Sequence, residues 1–172
     1  MSIVRINSLG ITDGTIVNAD IATAAAIATT KLGAGAVLQV VGATDSTSRN
    51  STSTSFVTAS NTLSVTITPS ATANKIFIIV HSTGYTAGAG QVPIIMTYLD
   101  SPSSTSSLTY QVYGRTTGSA EYKSVYTIYR GATNLAGGTT GFVELGANAA
   151  NQNFYLQNDS QIGSITAFEI KG

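Results

Sequence analysis

Hydrophobic and polar positions alternate with a period of two along much of the chain's later part. Residues 63–68 show this most cleanly. Leu63, Val65 and Ile67 fall on one face and Ser64, Thr66 and Thr68 on the other, the signature of a half-buried strand. Similar segments predict strands over 37–41, 92–99, 108–115, 122–129, 141–145, 153–157 and 162–170. Residues 75–82 form a continuous apolar run, as expected of a central strand covered on both faces. Residues 43–55 are almost all Ser, Thr, Asp, Asn and Arg and read as a long loop, and 69–74 read as a turn. Roughly eight to ten short strands divided by Gly, Asn and Ser clusters predict an all-β fold, a β-sandwich of jelly-roll type. Helix-length amphipathic segments are absent after Gly35, which argues against an α/β sheet.

The first 36 residues follow a different rule. Ile11, Ile16, Ile21, Ile27 and Leu32 recur at intervals of five or six, which matches neither a helix nor a strand. Asp13-Gly14 is a strong turn signal. Residues 22–32 could form a short helix, with Thr23 as N-cap and Gly33 as the stop. All eight Tyr and all five Phe lie at or after Phe56. Large aromatic side chains fill a core most readily, so the compact domain is predicted over 37–172 and an extended arm over 1–36. Such an arm buries too little apolar surface alone to offset its ordering entropy. It is expected to order against partners, with the five regularly spaced aliphatics as its anchoring residues. Fully extended, 36 residues reach on the order of 120 Å.

Composition sharpens this picture. Charged residues make up 9% of the 172 positions, against roughly 25% in an ordinary soluble domain. Solubility must come from uncharged groups, and 46 residues are Ser or Thr. Eight acidic and eight basic residues give a net charge of zero, which argues against a nucleic-acid partner. No apolar run approaches the roughly 18 residues of a spanning helix, so no membrane insertion is expected, and the first residues lack the apolar core of a secretory signal. The chain has no cysteine, hence no disulfide and no thiolate metal site.

Catalytic chemistry finds few candidates. Glycoside cleavage needs two carboxylates across a sugar. Asp45 and Asp159 read as solvated turn residues, and Asp100 as a turn residue accepting a backbone hydrogen. Glu169 is expected to face outward near the end of the last strand. His81, the single histidine, reads as a hydrogen-bonded residue at the core's edge. Gly88-Ala89-Gly90 precedes Pro93 rather than a helix, so it reads as a hairpin turn and not a phosphate loop. No enzyme activity, cofactor or metal is expected. The tyrosines are better candidates for recognition, because Tyr offers rigid contact area with a polar tip. Alternation places Tyr110 inside with Leu108 and Val112. It places Tyr113 and Arg115 on the opposite face, where they could meet a subunit or a receptor.

Several segments carry a resemblance. NADIATAAAIATTKL resembles the N-terminal arm segment of phage tail-fibre and other appendage proteins, especially in phages of aquatic bacteria. VLQVV, STSFVTASNTLSVTITPSATANKIFIIV, MTYLDSPSSTSSLTYQVYGR and the closing SITAFEIKG resemble the C-terminal β-sandwich domain of the same proteins. The likeness covers most of the chain and is weakest over 120–153. It implies a virion protein made in the host cytoplasm: a homotrimer with a jelly-roll knob similar to tumour-necrosis-factor-like trimers. It implies other virion proteins as partners (portal, tail or neck, or major capsid protein) and a host-surface glycan or protein as a further contact. Members of this family also serve as head fibres and as capsid decoration, or cement, proteins. A polysaccharide-degrading spike is the remote alternative.

Overall fold

The computed structural model describes residues 21, 28, 31–86, 89–118, 122–147, 154–158 and 161–172. The chain divides into two units, Met1–Leu32 and Gly33–Gly172. Residues 22–27, 29 and 30 of the helix expected over 22–32, and Ile11, Ile16 and Ile27 of the anchoring set, lie outside the described residues. Ile21 and Leu32 are described and exposed.

The second unit is all-β. Its described strands are β1 (Val37–Asp45), β2 (Arg49–Ser51), β3 (Val57–Thr58), β4 (Ser64–Ile67), β5 (Lys75–Thr86), β6 (Gly90–Asp100), β7 (Leu108–Thr116), β8 (Lys123–Arg130), β9 (Thr133–Asn134), β10 (Val143–Ala147), β11 (Phe154–Leu156) and β12 (Gly163–Ile170). They form two six-stranded sheets. The first runs β1-β12-β5-β11-β2, with β6 also paired to β5. The second runs β10-β8-β7-β3, with β4 on β7 and β9 on β8. The last strand returns beside the first. Gly35 donates its N–H to the Lys171 carbonyl and Lys171 donates to that of Ala36, so the ends of the unit are tied together.

The alternation seen in the sequence decides which side chains meet between the sheets. Leu63, Val65 and Ile67 point inward, as do Ile76, Ile78 and Val80 of β5, Tyr110 and Val112 of β7, Tyr126 and Ile128 of β8, and Ile165 and Ala167 of β12. The three largest fully buried side chains are Tyr110, Tyr126 and Phe154. Tyr126 and Phe154 meet edge to face at 5.9 Å. The Phe154 ring lies directly over the backbone of Gly114. A Cβ there would come within 2.8 Å of the ring, closer than side chains pack, so glycine is required by contact.

Polar residues at the rim correct several expectations. Glu169 does not face outward but is 1% exposed. It accepts hydrogen bonds from the Ser70 N–H and hydroxyl, from Asn74 and from Gln39, at 2.6–2.8 Å. It thereby ties the 69–74 turn to the last strand. Asp45 is not a solvated turn residue either. It is the buried end of β1, because the strand runs on to Asp45 and β2 follows within the region read as loop. Asp45 accepts from the hydroxyl of Ser60, the Thr47 N–H at 3.0 Å and Arg49 Nε at 3.2 Å. Asp100 closes β6 with side-chain partners in place of the expected backbone donor: Tyr110 Oη donates at 2.6 Å and Arg130 Nη1 at 2.7 Å. β5 is expected from its sequence to be covered on both faces, but over 75–81 only its inward face is buried. Phe77 and Ile79 are half-buried on the outer face and His81 is exposed there.

Burial alone would raise the Asp45 carboxyl. Its bonds from Ser60, Arg49 and Thr47 outweigh this and bring it down from 3.8 to about 2. Glu169 shows the same contest, with burial raising it and the Asn74, Ser70 and Gln39 bonds holding it below its ordinary 4.5. A carboxylate with a depressed folded value contributes stability that is full above its unfolded value and is lost as pH falls through the folded one. The thermal midpoint is therefore expected to be steady above about pH 5 and to fall between about pH 4.5 and about pH 2. Asp45→Asn lowers the midpoint at neutral pH and flattens the acid limb, which a calorimetric series would show. An unchanged acid limb would refute the assignment. Arg130→Met leaves a buried Asp100 without its cation, and chemical denaturation is expected to register a loss of about 3 kcal/mol.

Candidate functional site

Alternation on β7 and β8 has an outward consequence. With Tyr110 and Val112 fixed in the core, Gln111, Tyr113 and Arg115 must face away from it, and so must Tyr129 on β8. β3 joins the same face: Val57 pairs with Gly114 and Thr58 with Tyr113. Phe56, one residue earlier, reaches Arg115 and Tyr129 from there. Four side chains from three consecutive stretches of sheet thus meet on one outer surface.

Their geometry is close. Tyr113 stacks on Tyr129 with ring centroids 4.0 Å apart and planes 22° apart. Phe56 meets Tyr129 edge-on at 6.0 Å and 63°. The Arg115 guanidinium lies 5.2 Å from the centre of the Phe56 ring, within cation–π range. All four side chains are half-buried. Each braces its neighbour while keeping part of its surface in water. The Tyr129 hydroxyl is held above its ordinary value of 10.0, first by burial and then by Tyr113 beside it, so it remains a neutral donor and acceptor at physiological pH.

A loop frames this platform. Arg115 Nη2 donates to the Thr139 carbonyl at 3.0 Å. Asn134 donates to the carbonyls of Gly138 and Thr140 at 2.9 and 2.8 Å, and accepts from the Thr127 hydroxyl at 2.6 Å. The Phe142 and Leu135 N–H groups bond back to β8. The segment 131–142 is thereby pinned along the sheet edge. Arg115 has a second duty here: it ties the loop down while its plane covers Phe56.

Such an arrangement offers flat π surface, hydroxyl tips and a guanidinium edge. That set suits the apolar face of a sugar ring or a planar side chain of a partner protein. It includes no carboxylate. The described carboxylates are engaged elsewhere: Asp45, Asp100 and Glu169 with the donors named above, and Glu144 with Lys123 at 3.2 Å. Glu121 and Asp159 lie outside the described residues. No group of His, Asp and Glu among the described residues could hold a metal ion, and none of the described helices is long and apolar enough to cross a membrane.

The predicted recognition pair, Tyr113 and Arg115, is therefore brought together with two residues that the sequence did not single out for this face. Tyr129 was one tyrosine among eight. Phe56 lay next to the presumed loop. Only the register of β3 on β7 and of β7 on β8 joins them, and register is not legible from one strand's pattern. His81 is exposed beside Ile95 and Ser164, not at a core edge. Ala89 and Gly90 lead into β6, which pairs antiparallel with β5 from Thr86 and Gly90 onward, and the Ala89 N–H bonds to Thr86 Oγ1; residues 87 and 88 lie outside the described residues. Comparison with protein-family models, with curated proteins and with solved structures found no match to the chain.

Arg115→Met removes the donor to Thr139. Amide hydrogen exchange over 131–142 is expected to rise by about tenfold or more while the global unfolding midpoint moves little. Equal exchange in both proteins would refute the loop-pinning role.

Proposed function

We propose that this chain is a non-enzymatic structural protein of a bacteriophage virion: a short trimeric fibre or appendage whose arm anchors it and whose knob contacts the outside. The single observation that carries the adhesive part is the braced surface of Phe56, Tyr113, Arg115 and Tyr129 on the outer face of the second sheet. Rigid amphipathic rings lose little entropy on binding, and the low charge of the chain favours close contact over long-range attraction. The host-surface glycan or protein named by the family resemblance fits that chemistry.

The knob in this reading is a jelly-roll-like β-sandwich. Support comes from the way strands visit the two sheets in groups: β1 and β2 in the first, β3 and β4 in the second, β5 and β6 in the first, β7 to β10 in the second, β11 and β12 in the first. Residues 1–36 serve as the virion-anchoring arm, with Ile11, Ile16, Ile21, Ile27 and Leu32 seating against a portal, tail, neck or capsid protein. The exposure of Ile21 and Leu32 fits that role. A polysaccharide-degrading spike is less favoured, because three carboxylates of the knob are occupied in holding turns and strands together.

Particles lacking the protein are expected to keep intact shells and to fail in adsorption. Loss of heat resistance with normal adsorption would instead mark a capsid cement protein. Tyr113→Ala and Tyr129→Ala are expected to weaken binding of the purified protein to host cells by about tenfold or more each. A chain reduced to residues 37–172 is expected to fold and to stay off particles, and normal incorporation would refute the anchoring role.

A further inference from the structure

The outer face of the first sheet presents a different surface. Strand registers align its outward residues in rows. Val40, Phe168, Phe77 and Leu99 form one row across β1, β12, β5 and β6. The next is Gly42, Thr166, Ile79 and Thr97, and the next Thr44, Ser164, His81 and Ile95. Val37 and Ile170 flank the first row on the other side. Phe77 and Phe168 lie 6.3 Å apart at its centre. Val40, Leu99 and Ile95 are 54%, 50% and 59% exposed. This is a contiguous apolar patch on a sheet whose central strand, β5, carries apolar residues on both sides.

We propose that copies of this chain bury this face against one another. A patch of this kind on an isolated protein marks a contact site. Two observations choose a second copy as its occupant. The first is charge. Among the described residues, the basic side chains on the face are Lys75 and His81, both toward its ends, and the phenols Tyr85 and Tyr155 lie beyond the rows named above. The rest of the face is aliphatic, aromatic or hydroxyl-bearing, so copies meet without burying an acid or opposing clusters of like charge. The second is area. Four strands about 4.8 Å apart and nine residues at about 3.3 Å give a flat footprint of about 570 Å². Side-chain relief brings that toward the roughly 800 Å² per partner of a standard stable interface. A single extended peptide would cover little more than one strand's width of it. A second sheet packed at about 10 Å covers the whole.

The inference deepens the homo-oligomer part of the function proposed above and names the face through which the copies meet. It is tested on the full chain by sedimentation equilibrium from about 1 to about 100 µM. The wild-type chain is expected to be oligomeric, and the mass gives the number of copies. Val40→Lys with Leu99→Glu is expected to raise the dissociation constant by at least about a hundredfold, with an unchanged circular dichroism spectrum because both side chains lie at the surface. Thr66→Glu, an exposed change on β4 of the second sheet, is expected to leave the mass as it is. Because the chain lacks cysteine, Leu99→Cys supplies one thiol per copy for an environment-sensitive dye, which should become shielded only as concentration rises.

A wild-type chain that stays monomeric at about 100 µM overturns the proposal. So does a double variant of unchanged mass, and so does a dye shielded at every dilution in a monomer, which would mean that the chain covers its own face. The outcomes separate from those of the function reading. Oligomers that never join a particle would defeat the virion role alone, and particle-bound monomers would defeat this interface alone.

Discussion

Side chains on a strand alternate between its two faces, so fixing the inward set on a shared core fixes the outward set at the same time. That coupling governs this knob. Tyr110, Val112, Tyr126 and Ile128 are committed between the sheets, and Tyr113 and Tyr129 follow outward without further instruction. Ile76, Ile78, Val80, Ile165 and Ala167 are committed from the other side, and Phe77, Ile79 and Phe168 follow. A slip of one residue in β7 would place Tyr113 in the core and Tyr110 in water. It would also turn the Arg115 guanidinium toward the apolar side chains of the core. Core register and surface chemistry are one constraint here.

Buried carboxylates stabilise that register at the rims. Asp45, Asp100 and Glu169 each sit near the end of a strand, and each gathers donors from a different part of the chain. A buried carboxylate without donors is costly, so each works as a latch that closes only when the correct turn has arrived. Glu169 needs the 69–74 turn, Asp45 needs Ser60, and Asp100 needs both Tyr110 and Arg130. Misregistered pairings would strand a charge in low dielectric. A chain with few charges thus uses three of its eight acids to specify structure.

Much of the all-β architecture was legible because alternation is a local signal. The segments 63–68, 108–115 and 162–170 stand close to where β4, β7 and β12 lie. What failed was whatever depended on partners distant in sequence. The Ser- and Thr-rich region 43–55 has the composition of a loop, yet it contains the end of β1 and all of β2, because pairing with β12 and β11 supplies the order that local propensity lacks. Glu169 has the residue type of a surface position. Its burial depends on donors almost 100 residues earlier. Of the candidate surface, Tyr113 and Arg115 could be read from one strand, whereas Phe56 and Tyr129 needed the register of three.

With Asp45, Asp100 and Glu169 buried, and with Arg49 and Arg130 spent on two of them, the surface of the knob carries even less charge than the composition implies. Long-range steering then contributes little to encounter, and selectivity has to arise at contact distance. The two outer faces provide contact in different forms. One is a broad apolar sheet surface whose neighbours are hydroxyls. The other is a narrow, braced group of rings with polar tips and a guanidinium edge. A broad flat face rewards a partner of matching extent, such as another sheet. A narrow aromatic platform rewards a small planar or ring-shaped group, because stacking and hydroxyl bonding are both satisfied within a few ångströms. Self-association on the first face would leave the second, on the far side of the core, turned outward in every copy.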